Sequence, residues 1–177
     1  MSEDELVDVV DEEDRVVATV PRARIRSEGL LHRVASVLVF RQDGMLLVHR
    51  RTDTKDVFPG AFDCFVGGVV GAGERYDEAR DRELAEEMGI EGAPAIELFR
   101  HRFEGHDDRS WSAIYAITWS GPVVPQASEV AWYGWETVDR VLERAAEPTF
   151  VPDGREVLRR WYDEGGRLPP GTVGSGG

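Results

Sequence analysis

The sequence holds one cysteine, Cys64, so it has no disulfide within the chain and no cysteine-built zinc site. Its four histidines, His32, His49, His101 and His106, show no ligand spacing either. No apolar run approaches the roughly 20 residues of a membrane span, and the opening MSEDELVDVV is acidic where a signal peptide would be basic. These absences lead to the expectation of a cytoplasmic protein that does not contact a membrane. Positive charge is scarce as well. The 21 Lys and Arg face 34 Asp and Glu, a net charge of -13, which opposes tight binding to a nucleic acid polymer. A small phosphorylated ligand stays open, because a bound divalent cation inverts the local field. Cys64 itself reads as a small core residue.

What is present suits one α/β domain over residues 1–168. The 177 residues are 41% hydrophobic, enough for a single substantial core. LVDVVDEEDRVVATV reads as an N-terminal β-hairpin, and PRARIRSEG as a short helix opened by Pro21 and closed by Gly29. RVASVLVFRQDGMLLVHRR is two apolar strands joined at Asp43-Gly44, a strong hairpin signal. FPGAFDCFVGGVV continues as a turn and a strand, and Arg75 to Met88 as a helix stopped by Gly89. Three further strands, AIELFRHRFEG, SWSAIYAITWSG and VAWYGWE, and two helices, TVDRVLERAA and GREVLRRWYDEG, follow without regular βα alternation. The tail, residues 169–177, is rich in Pro, Gly and Ser and is expected to be disordered. Oligomeric state has no signature here.

RELAEEMGI, Arg82 to Ile90, crowds three glutamates near a helix end. At about 100° per residue, Glu83, Glu86 and Glu87 share roughly one third of the circumference, with Ala79 on their side and Leu84 and Met88 marking a second, apolar side. Glu83 and Glu87 repel as an i,i+4 pair, and the C-terminal dipole adds a like penalty. A cation would compensate both, and oxygen-only ligands select Mg2+ or Mn2+, ions that also bind substrate phosphates.

Read outward from these glutamates, Gly68, Glu74 and Arg82-Glu83-Leu84-Ala85-Glu86-Glu87-Met88-Gly89-Ile90 resemble the Nudix box at every defining position. The resemblance implies an α/β/α sandwich with a mixed central sheet, and Mg2+-dependent hydrolysis of a diphosphate linkage in a small nucleoside diphosphate derivative or related organic diphosphate. It also implies a metal ligand from a loop carbonyl, here Gly67 or Gly68, beside Glu83, Glu86 and Glu87. Arg82 suits an internal counterion to Glu74 or Glu86 that fixes carboxylate orientation. The general base is either a box glutamate or a carboxylate on another loop, for which Glu129 in PQASEVAW is the candidate.

ELVDVVDEEDRVVATVPR, LLHRVASVLVF and RRTDTKDVFPGAFD further resemble segments of isopentenyl diphosphate isomerases and the Nudix hydrolases near them. That resemblance makes Arg51 and Lys55 substrate-binding candidates, since their isomerase equivalents hold the diphosphate. The isomerase chemistry does not carry over. Its reactive cysteine falls where this chain has Gly67, a metal-binding histidine where it has Val69, and Cys64 lies three residues too early. His32 matches one family histidine, which alone rebuilds no metal site. Hydrolase is therefore the favoured reading, with an isomerase or a catalytically silent nucleotide-binding module as alternatives. The leaving group has no readable code, although RHRFEGHDDRSW and GPVVPQASE are loop candidates; Trp111, Tyr133 and Trp135 read first as strand core, with stacking on a base as the alternative.

Overall fold

The structure, a computed structural model, describes residues 4–105 and 109–172; His106 and the last five residues lie outside it. The elements run β1 (Leu6–Val10), β2 (Val16–Pro21), α1 (Arg22–Ser27), β3 (His32–Phe40), β4 (Leu46–Arg51), β5 (Phe62–Asp63), β6 (Phe65–Val69), α2 (Tyr76–Met88), β7 (Ala95–Glu104), β8 (Arg109–Thr118), β9 (Val130–Glu136), α3 (Val138–Ala145) and α4 (Pro152–Asp163). Among the described residues, no helix is long and apolar enough to cross a membrane.

β3 organises the sheet. Its β-branched and aliphatic residues suit a strand covered on both faces. It pairs in parallel with β8 from His32↔Ser110 to Phe40↔Thr118, and antiparallel with β6 from Val34↔Val69 to Leu38↔Phe65. Alternation then sorts its side chains. Ala35, Val37 and Val39 join a core with Leu84 and Met88 of α2, while Leu38 and Phe40 join a second core with Val141 of α3 and Val157, Leu158 and Trp161 of α4. Full burial of each large aliphatic side chain contributes about 2 kcal/mol, and a one-residue slip of β3 would exchange the two sets. Helices therefore cover both faces of a mixed sheet.

The Asp43-Gly44 hairpin forms, with Gly44 at φ 83°, but β3 and β4 share only the pair Phe40↔Leu46. Beyond it β4 turns to β9 and β5, and β3 to β8 and β6. This divergence opens a cleft between the far ends of the two strands. The single strand expected over FPGAFDCFVGGVV is instead broken at Cys64. Asp63 Oδ1 accepts the N–H groups of Cys64 (2.7 Å) and Phe65 (3.0 Å), which bends the chain from β4's ladder to β3's. The disordered tail expected from residue 169 also differs in its first part: Pro169 is buried, and Thr118 Oγ1 of β8 donates to the Pro170 carbonyl at 3.2 Å. The rest of that tail falls outside the described residues.

Candidate active site

α2 is set for its role by its two ends. The Arg75 N–H donates to Glu78 (2.9 Å), and Asp77 and Glu78 complement the positive end of the dipole. At the other end Gly89, at φ 64°, lets its N–H reach the Ala85 carbonyl, and the Ile90 N–H reaches that of Leu84. No basic residue sits in this last turn. Instead the 120–129 loop closes on it, with the N–H of Val124 donating to Met88 O and that of Gln126 to Glu87 O, each at 2.9 Å. The loop that carries Glu129 is thus fastened to the end of the glutamate helix.

Arg82 is the hub of the cluster. Its guanidinium grips both oxygens of Glu74 (2.9 and 3.1 Å), the Val69 carbonyl (3.1 Å), Glu83 (2.7 Å) and, more distantly, Glu86 (3.4 Å). Burial pushes the Glu74 carboxyl up, but Arg82 and the Gly71 N–H outweigh it and hold Glu74 below the usual range. The expected counterion role therefore extends to Glu83. Glu83 and Glu87 are buried, whereas the Glu86 side chain is half exposed at the mouth of the cleft. Burial, then the neighbouring Glu83, pushes Glu87 up to about 7, with Lys55 opposing; burial likewise raises Glu83 against the pull of Arg82.

Lys55 and Arg51 face these carboxylates across a cleft of about 740 Å³. Lys55 is ion-paired with Glu129, so the candidate cation and the candidate base touch. Burial lowers the Lys55 pKa, and Arg51 lowers it further. The Arg51 guanidinium donates to the Val57 carbonyl at 3.0 and 3.1 Å, fixing the 52–60 loop over the cleft. The Thr52 N–H donates to the Glu129 carbonyl (3.1 Å), tying that loop to the one fastened on α2.

Among the described residues no three carboxylate or imidazole groups converge as a ready metal cage, since Glu83 and Glu86 are turned onto Arg82. The donor set nonetheless suits a hard divalent ion. It is all oxygen, with Glu83 close enough to Glu87 to raise its pKa and both lining one cleft with Glu86. The backbone of Gly68 comes so near that a Cβ there would stand 2.6 Å from Glu83 Oε1, and one at Gly67 would overlap the Ala35 carbonyl oxygen.

The NUDIX domain family model matches residues 30–161. The chain belongs to the Nudix hydrolase family. It is similar to the uncharacterized Nudix hydrolase SCO1686 of Streptomyces coelicolor, at 46% identity over 98% of this chain and 97% of that one. It is also similar to the uncharacterized Nudix hydrolase YfcD of Escherichia coli K12, at 39% identity over 89% and 86%. The crystal structure of DR0079 from Deinococcus radiodurans superposes with a TM-score of 0.77 at 30% identity, covering 89% of this chain and 99% of that one. The α/β/α sandwich with a mixed sheet is thus the Nudix fold, and Nudix hydrolases generally use divalent metals.

In this Nudix hydrolase the cleft gathers Arg51, Lys55, Gly67, Gly68, Glu83, Glu86, Glu87 and Glu129, with Arg82 behind them. Trp111, Tyr133 and Trp135 do not line it; Tyr133 and Trp135 pack against the α2 core. Two groups of lining residues escaped the sequence reading. Arg22 and Arg26 enter from α1, for which i,i+4 spacing was the available signal. Asp63 and Asp153 enter from β5 and α4, and the signal for Asp63 was a charge inside an apolar strand. Cys64 is fully buried among Leu38, Phe40 and Leu46, and burial holds its thiol well above its usual pKa. Cys64→Ala should therefore keep the turnover of the wild type and lose only about 1 kcal/mol of stability to the small cavity. Kinetics beside a thermal melt check this, and a lost turnover with an unchanged melt would contradict it.

Proposed function

We propose that this chain hydrolyses the diphosphate linkage of a small nucleoside diphosphate derivative or related organic diphosphate, with Mg2+ as cofactor and Mn2+ as its substitute. The observation that carries the reading is one cleft with carboxylates on one wall and cations on the other, because a metal diphosphate presents both charges at once. Glu83, Glu86, Glu87 and a carbonyl of Gly67 or Gly68 would hold the ion, which when bound neutralises phosphate charge and lowers the pKa of water. Arg82 keeps Glu83 oriented while compensating Glu74.

Arg51 and Lys55 bind the diphosphate oxygens. Drawing Lys55 to phosphate frees Glu129, which then takes the proton of the attacking water. The water oxygen bonds to one phosphorus, and the bridging P–O bond breaks with its electron pair leaving on the other phosphate. A panel of nucleoside diphosphates, triphosphates, sugar nucleotides, dinucleotides and coenzyme A, run with Mg2+, with Mn2+ and with chelator, tests the reading. Absence of metal-dependent phosphate or nucleotide release from every member would end it.

Lys55→Ala should raise KM about tenfold or more, since a charge-assisted contact to phosphate is worth about 1.5–3 kcal/mol. Steady-state kinetics at saturating Mg2+ measures this. An unchanged KM would remove Lys55 from the diphosphate site.

A further inference from the structure

The cleft has a feature that diphosphate hydrolysis does not use. Asp63, at the end of β5, is 8% exposed and lines the cleft. Its Oδ1 is occupied by the two backbone N–H groups of Cys64 and Phe65, so the carboxylate cannot rotate without losing both. Its Oδ2 has no hydrogen-bond partner among the described residues. The first turn of α4 closes over it: a Cβ on Gly154 would stand 2.7 Å from Oδ1, so only glycine permits the approach. Asp153, next in the chain to that glycine, lines the same part of the cleft. Phe65 and Val151 add apolar surface to the same cleft.

A carboxylate held at one oxygen by the main chain and open to the cleft at the other presents a fixed acceptor to whatever enters. The neighbouring acidic side chain makes a positively polarised donor more favourable and a carbonyl oxygen less so. We propose that Asp63 Oδ2 is a specificity-determining acceptor, and that it selects substrates whose non-phosphate part carries an amino group over those with a carbonyl at the same position. Burial, then Asp153, pushes the Asp63 carboxyl up to about 7, which is the cost that an incoming N–H donor relieves. The inference rests on the hydrolase reading for its kinetic form, but its binding form does not depend on turnover.

The test uses matched pairs that differ at one group, adenosine against inosine and cytidine against uridine. Hydrolysis of the 5′-diphosphates with Mg2+ is compared by kcat/KM, and binding of the 5′-monophosphates by calorimetry. The amino member of each pair should win by about tenfold or more in both. Asp63→Asn should reverse the order, because asparagine keeps an oxygen for the two backbone N–H groups and places an NH2 where Oδ2 stood. Equal values within each pair, or an amino preference that survives Asp63→Asn, would overturn the inference. Turnover without discrimination would leave the hydrolase reading standing. Discrimination in binding without metal-dependent turnover of any diphosphate would support Asp63 and count against hydrolysis. Should Asp63→Asn fail to fold, equal wild-type binding within the pairs still overturns the proposal.

Discussion

Glu83→Gln and Glu87→Gln should each lower turnover by about a hundredfold or more, equivalent to about 2.7 kcal/mol of transition-state stabilisation. The substitution keeps the shape of the side chain and removes one anionic oxygen donor. Both residues are buried beside each other, so neither loss is readily made good by solvent. Glu86, half exposed, should be the more tolerant position. A second readout separates ligand from structural partner. Glu87 suffers from burial and from Glu83, so Glu87→Gln should melt slightly higher than wild type in chelator while gaining less from added Mg2+. A mutant that melts lower in chelator and responds fully to Mg2+, with near-normal turnover, would show that Glu87 is a structural partner.

Arg82→Ala should cost about 3–5 kcal/mol of folding stability. It strands Glu74, whose side chain is 19% exposed, and Glu83, 10% exposed, and it abandons the Val69 carbonyl. Breaking a buried network at its centre leaves uncompensated charge, which is far more costly than losing a surface pair. Arg82→Lys should recover little, because a single ammonium cannot span both oxygens of Glu74 and still reach Glu83. Chemical denaturation checks both variants, and a midpoint within 1 kcal/mol of wild type for Arg82→Ala would refute the hub assignment.

The parts of this molecule that were legible in the sequence are those in which one residue's chemistry answers to its near neighbours. α2 could be bounded at its end because Gly89 is a local stop signal, and the box could be found because its spacing is local too. β3 could be placed from its apolar run. The break at Cys64 could not, because an aspartate inside FDCFV reads as a blemish in a strand until its two backbone partners are known. The pairing of Lys55 with Glu129 lies 74 residues apart in sequence and depends on the loop fastened to the Met88 and Glu87 carbonyls. Nothing in either segment announces the other. The aromatic residues of β9 follow the strand rule instead: Tyr133 and Trp135, two residues apart, share one face and pack against the α2 core, as strand aromatics commonly do.

The close approach of β6 to β3 at Gly67 bears on how such a protein can change over generations. A cysteine brought to this position by one codon change would set its Cβ against the Ala35 carbonyl oxygen, so the main chain must part to admit it. A lineage moving between water-based and thiol-based chemistry on this scaffold would have to respace two central strands before the new nucleophile conferred any advantage. The intermediate would carry the fold's loss without the reaction's gain. The barrier between the two chemistries is then a barrier in the order of substitutions, set by main-chain packing rather than by the reactivity of sulfur.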